Sequence, residues 1–162
     1  MNNPQNIPPL LTESIELLKL RARMRSGANW FFWIAAASVL TTIALIIGTS
    51  WGWFLSLGIT QLVSVIASGY GSEAKVIAFV VTLVATGIFV LLGVFSRKRQ
   101  NWAFIVGMIL YGADGLLFFM VNDWLSIGFH VWALFGILGG LRASLKMKSV
   151  PPPPDYSSLL RS

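Results

Sequence analysis

Long apolar stretches separated by short polar breaks dominate the chain. They run from Ala28 to Gly48, Ala74 to Phe95, Trp102 to Val121 and Leu125 to Leu141. A helix that crosses a bilayer needs ~20 apolar residues, within a range of about 17–25, so each stretch is predicted to be a transmembrane helix. The segment before them, residues 10–25 (LLTESIELLKLRARMR), has a different pattern. Leu11, Ile15, Leu18 and Ala22 fall at helical spacing. Glu13 and Glu16 lie near its start, with Arg21, Arg23 and Arg25 near its end, where the helix dipole favours each sign. The spacing predicts an amphipathic helix over 10–26, either lying on an anionic membrane surface or standing as a soluble juxtamembrane helix. Residues 1–9 are polar and Pro-punctuated and are expected to be unstructured. With no early apolar run, the first span is expected to act as its own uncleaved insertion signal.

A fifth apolar stretch, Trp53 to Ala67, is short for a span. Ser56, Thr60, Ser64 and Ser68 recur at four-residue spacing with Gln61 beside them, and Leu55, Ile59, Leu62 and Ile66 lie on another face. An interfacial or half-inserted helix fits this stripe. A hydroxyl face packed inside the bundle is the competing reading.

Charge placement decides between four crossings and five. Of the twelve Lys and Arg residues, four (Lys19, Arg21, Arg23, Arg25) precede the first span. Arg97, Lys98 and Arg99 follow the second, and Arg142, Lys146 and Lys148 follow the last. Cytoplasmic loops collect Lys and Arg. All three clusters fall on one side only if 53–67 does not cross. The expected fold class is therefore an all-α membrane protein: a four-transmembrane-helix bundle over 27–145, with an N-terminal cytoplasmic amphipathic helix and an extracytoplasmic interfacial helix. Trp30 and Trp102 at inner ends, and Trp51, Trp53 and Trp124 at outer ends, agree with an aromatic belt.

Composition supports this reading. Hydrophobic residues make up 56% of the 162 and charged residues 11%, against about 25% charged in soluble domains. The net charge of +6 is assigned to lipid head groups rather than nucleic acid, with Arg21, Arg23, Arg25, Arg97, Lys98 and Arg99 as the contacts. Cysteine is absent and His130 is the only histidine, which leaves no disulfide or thiol chemistry and disfavours a metal site. No cofactor is expected. No phosphate-binding Gly-rich loop, HExxH or Gly-x-Ser-x-Gly element occurs.

Two short segments match: RARMRSGANWFF opens the first span and SRKRQNWAF the third. Two helical hairpins related by an axis along the membrane normal are one explanation; shared boundary chemistry at an inner interface is the other. The tail from residue 146 is Pro-rich and expected to be extended. Its Pro153-Pro154-Asp155-Tyr156 fits the pattern that WW domains bind, or serves as a plain linker.

One position carries candidate chemistry. Asp114 is the only acid deep within a span, where ionisation costs ~2.5–3.5 kcal/mol on insertion scales. About a turn centred on Asn122-Asp123, Asp114 and His130 lie at equal depth, each ~12 Å along its helix. With Tyr111 one turn away, the pair is either a proton-accepting polar site or an interhelical hydrogen bond that fixes the hairpin. Gly128, Ala133, Gly136 and Gly140 form a small-residue strip expected to permit close helix packing.

The segments RSGANWFFWIA, QNWAFIVGMILYGADGLLFF and GFHVWALFGILGGLRA resemble a group of small, uncharacterised bacterial membrane proteins, over about residues 25–143. The resemblance implies a multi-span membrane protein and no activity. The functional expectation is a non-enzymatic accessory or scaffold subunit, whose partners are the lipid bilayer and either itself or a larger membrane complex. The alternative is a small transporter or permease with its polar site at Asp114–His130.

Overall fold

The computed structural model describes residues 9–48 and 57–149. Within them are five helices: α1 (Pro9–Ile46), α2 (Gly58–Ser68), α3 (Ser72–Arg97), α4 (Asn101–Met120) and α5 (Trp124–Ser149). The helices α1, α3, α4 and α5 are long and apolar enough to cross a membrane. The described part of α2 has 11 residues, ~16 Å of helix, about half of a hydrocarbon core. The expected segments at 1–8, 53–56 and 150–162, including the Pro-Pro-x-Tyr motif, lie outside the described residues.

One difference concerns α1. The predicted amphipathic helix and the first span form one helix of 38 residues, ~57 Å long, with Pro9 as its first residue, where a missing N–H costs nothing. No residue between Arg25 and Trp30 breaks it. Its apolar positions Leu17, Leu20 and Met24 pack in the cluster that holds Ala143 and Met147 of α5. Nearby, Lys146 pairs with Glu16 at 2.6 Å. The N-terminal part of α1 thus rests on the C-terminal part of α5, while Ile15 and Leu18 stay exposed.

The core is a relay of aromatic rings. Phe31 of α1 lies 6.1 Å from Phe104 of α4 and 6.2 Å from Phe89 of α3. Phe89 meets Tyr111 edge-on at 6.1 Å, and Tyr111 stacks on His130. Phe31 fits because Gly107 has no side chain: a Cβ there would stand 2.3 Å from the Phe31 ring. Helices α1 and α5 approach closely at Gly27 and Gly140, where a Cβ on Gly27 would meet Gly140 Cα at 2.5 Å. Gly136 lies under Trp30, whose Nε1 would be 2.0 Å from a Cβ. Ala133 is fully buried. Gly128 stands apart from this strip: it is exposed, and a Cβ there meets nothing within 4 Å.

Polar contacts tie the basic end together. The Arg97 guanidinium donates to Asn29 Oδ1 at 2.5 and 3.2 Å, and Ser144 Oγ donates to Asn101 Oδ1 at 2.6 Å. Asn29 and Asn101, the two residues of the short matching segments, therefore each accept from the antiparallel neighbour of their own helix. With Glu16–Lys146, these bonds gather all three basic clusters at one end. The α3–α4 turn closes with Arg99 at φ 63° and the α4–α5 turn with Asn122 at φ 54°, the left-handed region that asparagine tolerates best after glycine. Asp123 then caps α5, accepting from Ser126 N and Ser126 Oγ at 3.2 and 2.5 Å.

The glycine geometry predicts opposite signs for one chemical change. Gly27→Ala should lower the melting temperature in detergent, since backbone must move at α5; ~1–3 kcal/mol is the usual cost of overpacking. Gly128→Ala should be neutral or stabilising by up to ~1 kcal/mol, from helix propensity alone.

Candidate functional site

The site forms where the short helix α2 meets the spans. Its polar stripe turns inward: Thr60, Gln61 and Ser64 are buried, whereas Ile59, Leu62, Val65 and Ile66 are exposed. The hydroxyl face is thus a packing face, and the apolar face looks outward as lipid requires. The N-terminus of α2 sits at the level of Asp114, eight residues before the turn residue Asn122, or ~12 Å below that end of the bundle. A helix that starts at such depth has free N–H groups and no water to satisfy them.

Side chains of two spans supply the acceptors. Ser38 Oγ of α1 accepts from Leu57 N at 2.9 Å, while its own proton goes to Ile34 O at 2.9 Å. Asp114 of α4 takes the next two amides, Gly58 N at 2.6 Å on Oδ2 and Ile59 N at 2.9 Å on Oδ1. Both carboxyl oxygens are therefore engaged by amides at the N-terminus of a helix. Thr60 Oγ1 closes the turn by donating to Leu57 O at 2.8 Å. Gly58 has to be small: a Cβ there would meet Asp114 O at 3.2 Å and the Phe118 ring at 3.0 Å.

His130 of α5 completes the group. Its Nε2 lies 3.3 Å from Asp114 Oδ2. Its Nδ1 lies 2.9 Å from the carbonyl of Ser126, which can only accept, so Nδ1 carries a proton. The imidazole is clamped flat: Tyr111 stacks on it at 4.2 Å and 15°, and Phe118 tilts against it at 5.0 Å. Gly115 gives it room, since a Cβ there would meet His130 Cδ2 at 3.1 Å. The hydroxyl of Tyr111 is buried, with no hydrogen-bond partner among the described residues.

The structure brings Asp114, His130 and Tyr111 into one cluster, as equal depth in the hairpin allows. The chief partner of Asp114 is the backbone of α2, which sequence reasoning missed because an amide leaves no mark in the sequence. Ser38 was missed as a single serine in an apolar run. The expected head-group residues Arg21, Arg23, Arg25, Arg97, Lys98 and Arg99 are all exposed. Arg25 and Arg97 share a cavity with Asn29, and Lys98 lies 5.9 Å above the Phe95 ring. Among the described residues no group of three or more His, Cys, Asp or Glu side chains could hold a metal ion.

Comparison with known proteins returns no match to a family model, a curated protein or a solved structure.

The geometry predicts a graded response at Asp114. Asp114→Ala strands the Gly58 and Ile59 amides and a histidine nitrogen and should cost about 3 kcal/mol; Asp114→Asn keeps one acceptor and should cost roughly half as much. Thermal unfolding in detergent gives the order. Hydrogen exchange should locate the effect in the Gly58 and Ile59 amides, and wild-type protection there in Asp114→Ala would contradict the assignment.

Proposed function

We propose that the chain is a non-catalytic multi-pass protein of a bacterial inner membrane, an accessory or scaffold subunit that packs against itself or a larger membrane complex. The observation that carries this reading is the use made of Asp114. The one deep acid, the residue with most chemical potential in the spans, is engaged at both oxygens by the end of α2, and its histidine packs against two aromatic rings. Such a group holds a shape. The basic end faces the cytoplasm in this reading, because all three Lys/Arg clusters gather there, and α2 enters from the opposite side as a half-inserted helix.

A small transporter with its polar site at Asp114–His130 is the second reading. The 3.3 Å approach of His130 Nε2 to Asp114 Oδ2 and the buried Tyr111 hydroxyl beside it favour it.

Two experiments separate these readings. Affinity isolation from native membranes should recover a stable oligomer or a defined set of copurifying proteins; a lone monomer would count against a subunit. In vesicles, Asp114→Asn should alter stability and leave proton flux at the level of empty liposomes, as for the wild type. Wild-type proton-linked flux abolished by Asp114→Asn in a folded protein would establish the transporter. For orientation, a reporter inserted after Gly71 should be extracytoplasmic, and a cytoplasmic signal would reverse the assignment.

A further inference from the structure

The outward face of α1, between α3 and α5, carries two adjoining cavities that meet at Asn29. One, of about 320 Å³, is polar and lined by Arg25, Asn29 and Arg97. The other, of about 420 Å³, is an aromatic groove between α1 and α5 that runs from Ser26 to Ala37 past Trp33, Phe129 and Trp132.

The polar cavity is built for an anion. Arg97 is held in place before any ligand arrives: its guanidinium donates to Asn29 and lies 4.4 Å over the Phe32 ring. Phe32 itself seats against Gly93, where a Cβ would stand 2.8 Å from the ring. Arg25 joins it from α1. Among the described residues, neither arginine has an acidic partner; the ion pairs there are His130–Asp114 and Lys146–Glu16. Two cations on one cavity with an amide between them repel each other unless an anion lies there, and guanidinium groups match phosphate oxygens well.

The groove sets what the anion is attached to. From Ser26 to Ala37 is eleven residues, ~16 Å along the helix, close to half of a ~30 Å hydrocarbon core. It begins beside the arginines and ends near mid-membrane depth. Its walls are exposed tryptophans, Trp33 at 70% and Trp132 at 61%, which open it sideways to lipid. A phosphate at one end and an acyl-length apolar slot at the other describe a single amphiphile. We infer that Arg25, Asn29 and Arg97 bind the phosphate of one anionic glycerophospholipid, with an acyl chain in the groove between α1 and α5. The inference rests on the membrane placement of α1 and is independent of the scaffold reading.

The test uses the full chain purified in neutral detergent, titrated with phosphatidylglycerol or phosphatidylcholine, with bound lipid counted by native mass spectrometry. The wild type should retain one phosphatidylglycerol in preference to phosphatidylcholine. Arg25→Gln, which removes an exposed side chain without a described partner, should weaken that retention about five-fold, the usual weight of one arginine at an anionic surface. Ala37→Trp, which fills the groove and leaves the charges intact, should weaken it as well. Equal retention of the two lipids, or unchanged retention in Arg25→Gln, overturns the phosphate site. Full retention in Ala37→Trp, or complete displacement of the lipid by inorganic phosphate, overturns the acyl groove. Arg97→Gln is not the primary variant, because Arg97 also braces α3 against α1.

Discussion

A helix that begins inside a bundle needs acceptors for its first amides, and lipid offers none. In this protein the need is met by Ser38 and Asp114, which reach the start of α2 from two different spans. Asp114 in turn is a polar side chain that is costly at that depth without partners, and the amides of α2 supply them. Each half of the contact would be unfavourable alone. Together they fix the depth of α2, the spacing of α1 and α4 on either side of it, and the orientation of His130 behind it.

The remainder of the fold is arranged around that constraint. His130 can approach Asp114 because Gly115 leaves space, and its ring stacks on Tyr111 with Phe118 tilted against it. Tyr111 continues into Phe89, Phe31 and Phe104, so the polar cluster is one end of an aromatic core that reaches toward the basic end. There the helices are joined by Asn29, Asn101 and Lys146 through side-chain bonds and by Gly27 and Gly140 through direct backbone approach. The two ends thus use different chemistry: buried backbone capping at one, exposed charge and amide contacts at the other.

This division gives the scaffold reading its physical content. A bundle whose deep polar residues hold one another presents lipid and partners with a fixed outer surface, and the exposed apolar residues of α3, α4 and α5 are available for both. The outward face of α1 is the exception, because arginines with no acidic partner among the described residues meet an aromatic slot there within one leaflet's depth.

How much was legible in the sequence follows from the range of each signal. Hydropathy and length are local, so the four long helices could be read directly from composition. The α4–α5 turn was legible from Asn122-Asp123, and with it the common depth of Asp114 and His130, since an antiparallel hairpin has one free parameter. The hydroxyl stripe of α2 was visible as a periodicity, but periodicity gives a face and not its direction; only packing showed that the stripe points inward. The continuity of α1 was obscured because its charged first half and apolar second half look like two elements, and the partner that joins them, α5, lies more than a hundred residues away. Glycine carries no side-chain pattern, so sequence could group Gly128 with Gly136 and Gly140 although only the latter two face α1. Sequence by itself determined the class of protein, the number of long apolar helices and where the rare polar residues lie along them. The tertiary structure alone decided what those residues bind, because the main ligands of Asp114 are backbone amides of another element, and any residue type supplies an amide.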